Sequence, residues 1–318
     1  MSGILVQVPG LFATIQDLGR EGFGPIGVSA SGAADAISLR IGNRLVGNPD
    51  GAAALEMTLV GGSFTFERAA AIAVTGADFG PSVDNVPLPM WTSIEIQKGQ
   101  TVTLGPSRSG ARAYLCIHGG IAVAPFLGSA STHVLSGLGG FEGRALRRGD
   151  RLDLGPPNAH FRKRTLSPKV LQSFEPRKII RVTDGPQSDW FANASWKIFC
   201  ESTFRITEQA NRMGIRLEGR RIPANPSREM ITEGVSLGAV QVPPLGQPII
   251  LFVEQQTTGG YPKIANVIAA DLHSVGQFRP RDEIHFERIG LKEARSLLIR
   301  QEAILASKEL LQECNPSI

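Results

Sequence analysis

Cysteine is scarce in this 318-residue chain: Cys116, Cys200 and Cys314 are an odd number, lie far apart and form no CxxC pair. A disulfide framework and a zinc knuckle are thereby excluded. Tyrosine occurs only twice, and no aromatic residues interleave with basic ones, so the chain offers no stacking platform for nucleic acid. Charge is also sparse. Lys and Arg number 33 against 29 Asp and Glu, a net +4, and the cations fall in dispersed pairs such as Arg147 and Arg148, Arg220 and Arg221, and Arg279 and Arg281. No basic stripe results. No apolar run approaches the ~20 residues that span a bilayer. The N-terminal stretch MSGILVQVPGLFATIQDLGR lacks a basic region and meets Gln16 and Asp17 too early for a secretory signal. A cytoplasmic protein with neither membrane nor nucleic-acid partner is expected, and Asn193-Ala194-Ser195 is then a chance sequon.

Common catalytic signatures are missing too. No Gly-Lys dipeptide exists, which removes a Walker A loop, and no Met precedes a Lys, which removes a biotin-attachment core. Residues 137–143, GLGGFEG, place Glu142 where a dinucleotide fingerprint needs glycine, and no strand precedes them. Asp78-Phe79-Gly80 spells a kinase triplet without its companion loops. There is no HExxH pair.

What the chain has in quantity is glycine, 36 residues, with 21 prolines. That profile suits short strands joined by many turns, and the length suits two domains. Alternating apolar residues mark strands at Ile4, Val6 and Val8, at Ile94 and Ile96, at Val102 and Leu104, at Phe204 and Ile206, and at Ile215 and Leu217. A turn-plus-strand pattern recurs in GQTVTL (99–104), GDRLDL (149–154) and RDEIHF (281–286). Two copies fall where a β-barrel would close, near residues 155 and 287. A boundary is expected in the basic, proline-containing stretch 156–176. The working division is 1–160, 161–290 and a C-terminal helical segment, 291–318. Helices are predicted over 33–46, capped by Ser31 and ended by Gly47, and over 291–311, with an apolar stripe at 291, 294, 297, 298, 304, 305 and 311.

The segment EQQTTGGYPKIA (254–265) follows the apolar run PIILFV (248–253) and is the best candidate for handling a ligand. Gly259 and Gly260 can take positive φ and present bare N–H groups to an anion, while Thr257, Thr258 and Lys263 add hydroxyls and a cation. A plain Gly-Gly hairpin turn is the competing reading. His118, at the end of the strand AYLCIH and ahead of Gly119-Gly120, reads either as an imidazole beside exposed donors or as an ordinary strand-to-turn junction. His285 alternates with Ile284 and Phe286 and reads as a solvated strand position. Among the carboxylates, Asp17 is read beside Arg20, Asp35 in the first helical turn, and Glu142 beside Arg144. Glu56, between Leu55 and Met57, reads as solvated, with a buried functional acid as the alternative.

Taken together, PGLFATIQDLGREGFGPIGVSASGAAD (9–35), NRLVGNPDGAAALEMTL (43–59), IHGGI (117–121), GLGGFEGRALRRGD (137–150), NRMGIRLEG (211–219), GAVQVPPLGQPI (238–249) and QTTGGYPKIA (256–265) resemble one family. It is the family of allophanate hydrolase subunit 2 and the 5-oxoprolinase C-type subunit, a KipA-like, biotin-dependent carboxyltransferase-domain family. Ala30 and Gln255 depart from the family pattern, where proline and a basic residue are usual. The resemblance implies a mainly β protein of two tandem cyclophilin-like β-barrel domains with few helices. It implies a KipI-like partner subunit and, for a 5-oxoprolinase, a separate LamB/YcsF-type subunit. The activity implied is ATP-dependent opening of 5-oxo-L-proline to L-glutamate, with ATP and Mg in the assembled complex and no activity of the chain alone. The alternatives are carboxyl transfer between urea or a related amide and biotin carried on another protein, or regulatory binding of a KipI-type inhibitor.

Residue chemistry, rather than the resemblance, assigns the candidate roles. Asp17, Arg20, Glu142 and Lys263 are the catalytic candidates. Thr257, Thr258, Gly259, Gly260, Tyr261, His118, Gly119 and Gly120 are candidates for substrate or phosphate. No resident metal site is expected, and the glycine-rich segments are expected to converge on one cleft.

Overall fold

Strand Ser109–Ile117 shows how alternation builds the first half of the molecule. Ala113, Leu115 and Ile117 enter one apolar core while Tyr114 and Cys116 enter another, so a strand of period two is buried on both faces. The computed structural model describes residues 3–156, 161–225, 228 and 230–314. It divides into two compact units: residues 1–20, 31–175 and 304–318, and residues 21–30 and 176–303. Five α-helices accompany the strands among the described residues: α1 (Ala36–Leu45), α2 (Pro168–Ser173), α3 (Asn193–Glu201), α4 (Leu272–Gly276) and α5 (Leu291–Ala306). No helix among these residues is long and apolar enough to cross a membrane.

In the first unit a six-stranded and a five-stranded sheet share a core. The six-stranded sheet runs Arg151–Leu152, Ile4–Val8, Ser63–Phe66, Thr101–Thr103, Ser82–Val83 and Val86–Pro87. The five-stranded sheet runs Phe12–Gln16, Ala54–Thr58, Ser109–Ile117, Ala70–Asp78 and Ser93–Ile96. Ile4, Phe64 and Phe66 from one meet Ile15, Leu55 and Leu115 from the other. Helix α1 covers the outer face of the five-stranded sheet through Ile37, Ile41 and Leu45, the spacing-four stripe seen in the sequence. It starts later than expected. Asp35, not Ser31, caps it, accepting from Ser38 N at 3.0 Å. Ser31 has φ 58° and donates its hydroxyl to Thr132 O instead.

The second unit is a closed seven-stranded barrel, in order Ile179–Asp184, Lys263–Val267, Ala239–Gln241, Ile249–Leu251, Gly214–Glu218, Phe204–Ile206 and Glu283–Arg288. Strand Glu283–Arg288, the third copy of the turn-plus-strand pattern, closes it by pairing with both Ile179–Val182 and Phe204–Arg205. Within it Ile284 and Phe286 are buried while His285 is half-buried, as alternation predicts. Phe199 of α3 is fully buried and stacks on Phe286 at 4.3 Å between ring centroids. Helix α5 stops at Ala306, short of 311. Leu311 belongs to a strand, Leu311–Glu313, paired with Arg164–Leu166. Leu305 is its buried residue and Leu291 is exposed.

Candidate functional site

Lys263 is the most telling residue of the barrel. It opens strand Lys263–Val267 and is only 2% exposed, although a lysine is almost never fully buried unless paired. Its ammonium lies 2.6 Å from Glu233 Oε1, a close ion pair whose carboxylate is 44% exposed. Glu233 accepts a second contact from Gln187 Nε2 at 2.9 Å, and Gln187 Oε1 in turn accepts from the Lys263 N–H at 3.1 Å. The Lys263 ammonium, followed by the Gln187 amide, holds the Glu233 carboxyl below the usual carboxylate range. Opposite Lys263 in the ladder stands Gln241, also buried, whose Nε2 has no hydrogen-bond partner. Directly opposed residues of an antiparallel pair present side chains on the same face.

The ligand-loop candidates surround this group. Thr258–Gly259 form a short strand paired with Glu233–Gly234. Neither Gly259 nor Gly260 has positive φ, so the expected N–H nest is not formed there. Gly259 instead leaves room for Gln241: a Cβ on it would lie 2.4 Å from Gln241 Nε2 and would push that amide aside. Thr258, Gly260 and Tyr261 are exposed and Thr257 is half-buried. At the start of the loop a buried pair, Arg212 Nε to Glu254 Oε1 at 2.5 Å, fixes the chain where it leaves strand Ile249–Leu251. The arrangement can seat an anion on two or three buried donors behind an exposed strap. Nothing in the sequence singles out Glu233, Gln187, Gln241 or Arg212. Gln241 sits in AVQV, which reads as an ordinary half-wet strand, and Glu233 reads as a solvated charge.

In the first unit Asp17 and Arg20 converge on residues 126–131. Asp17 accepts from Gly19 N (2.7 Å), Ser129 Oγ (2.6 Å), Ala130 N (2.6 Å) and Ser131 Oγ (2.5 Å). Four donors saturate a carboxylate. Arg20 donates to Phe126 O at 3.3 Å and to Ser131 O, with its guanidinium 5.5 Å above the Phe126 ring. Glu142 is not joined to this pair: it is exposed, has φ 53° and binds Arg144 at 2.7 Å. His118 and its glycines attach elsewhere in the unit. His118 Nδ1 lies 2.6 Å from Val46 O, Gly119 N donates to Asn48 Oδ1 and Gly120 N to Ile117 O. Those N–H groups are used internally rather than presented to an anion. His118, Arg44 and Arg164 line a cavity of about 470 Å³ beside the end of α1.

Glu56 departs from its expected solvated position. It is buried, and accepts from the Tyr114 hydroxyl at 2.7 Å and from Ala34 N at 2.8 Å, just ahead of α1. Burial and then the Glu56 charge push the Tyr114 hydroxyl up, so it stays a donor. Glu56 thus anchors a helix N-terminus.

The family model described as carboxyltransferase domain, subdomain A and B, matches residues 26–288. The C subunit of 5-oxoprolinase from Escherichia coli (strain K12) is 40% identical over 287 residues, 90% of this chain and 91% of that protein. Its counterpart of the same name from Haemophilus influenzae is 36% identical over 293 residues, 92% of this chain and 93% of that protein. The crystal structure of K. lactis urea amidolyase superposes with a TM-score of 0.90 at 31% identity, covering 95% of this chain but 20% of that one. Because the family model and both bacterial relatives span most of its length, the chain belongs to the carboxyltransferase domain, subdomain A and B, family.

Proposed function

We propose that this chain is a subunit of an ATP-dependent 5-oxoprolinase, which opens 5-oxo-L-proline to L-glutamate. The observation that carries this reading is the 40% identity to a 5-oxoprolinase C subunit across nine-tenths of both proteins. In this reading the chain works in the cytoplasm with a KipI-like subunit and a LamB/YcsF-type subunit, and is inactive alone. Opening a lactam puts negative charge on the amide oxygen and leaves a nitrogen to be protonated. Lys263 is the residue here suited to hold an anionic group, because its charge is buried and already holds a carboxylate, that of the half-exposed Glu233. Asp17 and Arg20 act as positioning residues that shape the 126–131 segment.

Among the described residues, the two glycine pairs singled out as phosphate donors do not make a nucleotide cradle. Among the described residues no group of three or more His, Cys, Asp or Glu could hold a metal ion. The N–H groups of Gly119 and Gly120 are engaged, and Gly259 and Gly260 lack the nest conformation. No step through ATP or magnesium is therefore assigned to this chain. A second reading, carboxyl transfer to urea or a related amide with biotin carried on another protein, is favoured by the TM-score of 0.90 to urea amidolyase.

The test is to purify the chain with its KipI-like and LamB/YcsF-type partners and measure ATP consumption and glutamate release with 5-oxo-L-proline, and ATP consumption with urea once a biotin carboxylase is supplied. Glutamate formation that is lost on Lys263→Ala supports the proposal. Turnover with urea alone sinks it in favour of carboxyl transfer, and full oxoprolinase turnover by Lys263→Ala removes that residue from the site.

A further inference from the structure

A buried amide nitrogen without an acceptor calls for an explanation, because leaving such a donor unpaired is costly and native proteins rarely do so. Gln241 Nε2 is in that position, opposite a buried lysine. The anion that reaches Lys263 comes from Glu233, whose side chain is 44% exposed. Glu233 is carried on a strap, residues 231–234, that is exposed throughout and is tied to the chain by the short Thr258–Gly259 ladder. Segments with few buried contacts open at low free-energy cost. When the strap opens, the Lys263 charge and the Gln187 amide lose their acceptor together, and both need another anion.

We propose that Lys263, Gln187 and Gln241 form a binding site for a small carboxylate, and that Glu233 is a built-in stand-in which the ligand displaces. The Glu233 carboxylate already shows the recognition chemistry, with one oxygen 2.6 Å from Lys263 Nζ and 2.9 Å from Gln187 Nε2. A free carboxylate can do what Glu233 does and also accept from Gln241 Nε2, which Glu233 leaves unpartnered. Gly259 leaves room for that third donor, since a Cβ there would lie 2.4 Å from the Gln241 amide and displace it. The strap is thus an autoinhibitory contact, and ligand and Glu233 compete for one cation. The assignment of 5-oxo-L-proline as the natural carboxylate rests on the proposed function; the carboxylate site itself does not.

The experiment is calorimetric titration of the full chain with 5-oxo-L-proline, with acetate, and with 2-pyrrolidinone, the lactam that lacks the carboxylate. Binding of at least one carboxylate and none of pyrrolidinone is expected. Glu233→Gln removes the competitor, so carboxylate affinity should rise about tenfold or more. Gln241→Leu deletes a donor with no partner, so the ligand-free protein should melt no lower than the parent while carboxylate affinity falls about tenfold. That pairing separates a ligand contact from a structural role, and it stands even where Glu233→Gln fails to fold. Equal binding of pyrrolidinone, unchanged affinity in Glu233→Gln, or unchanged affinity in Gln241→Leu overturns the proposal. If acetate behaves as expected and 5-oxo-L-proline does not bind, the site stands and the oxoprolinase reading loses its substrate. If the assembled complex turns over 5-oxo-L-proline while no carboxylate responds to Gln241→Leu, the function stands and this site falls.

Discussion

Asp17→Ala is the most direct way to ask whether the first unit depends on its saturated carboxylate. The substitution removes the acceptor of four donors, the N–H groups of Gly19 and Ala130 and the hydroxyls of Ser129 and Ser131. The hydroxyls can rotate toward other acceptors, but the two backbone N–H groups cannot. Stranding a buried donor costs about 1–3 kcal/mol, so the two together cost roughly 2–6 kcal/mol. Both of these bonds are only part-buried, which lets water relieve some of the loss and points to about 2–4 kcal/mol. That is a large share of the ~5–15 kcal/mol that holds a typical domain folded. Asp17→Asn should recover part of the loss, because an amide oxygen in place of Oδ1 still accepts from Gly19 N and the two hydroxyls while its NH₂ faces the Ala130 N–H that Oδ2 now serves. The two compact units make a single melting curve ambiguous, so the assay is hydrogen exchange of peptides covering 126–133, read beside urea unfolding. Faster exchange in that segment with a matching loss of stability is expected. Exchange unchanged there, with stability within about 0.5 kcal/mol of the parent, would show that the four bonds do not organise the segment.

Gly42→Ala tests how tightly α1 seats on the sheet: a Cβ would lie 2.5 Å from Cys116 Sγ and 2.8 Å from Thr75 Oγ1. Alanine gains about 1 kcal/mol of helix propensity but overpacking costs about 1–3 kcal/mol, so faster hydrogen exchange in peptides covering 36–46 is expected, and slower exchange there would mean the interface yields. The Arg144 guanidinium, bound to both oxygens of Asp150, holds that carboxyl below its usual range. The unfolded chain therefore binds this proton at higher pH than the folded one. The stability it adds is complete above the usual carboxylate range and is lost as pH falls through the folded value. Urea unfolding at pH 7 and near pH 3 should show a smaller difference in Arg144→Met than in the parent; an equal difference would remove the pair from the acid response.

The alternation of apolar residues and the abundance of glycine carry the β class without any structure, because a strand's faces are written at period two in the chain. The strand at 284–286, the barrel-closing copy near 287 and the apolar stripe of α1 are all legible on that ground. Glu56 is not, since a lone acid between Leu55 and Met57 is solvated or buried according to what packs on its side of the sheet, and here that is the start of α1. Ser31 and Asp35 are equally good caps by composition, and the turn geometry ahead of the helix chooses between them. The site divides in the same way. Lys263 can be singled out from its glycine-rich, apolar setting, whereas Gln241 and Glu233 lie 22 and 30 residues from it in the chain and meet it only through barrel register and the strap. Local sequence specifies which residues can be buried and which can carry charge; closure of the barrel decides which donor faces which acceptor, because that depends on contacts between distant segments.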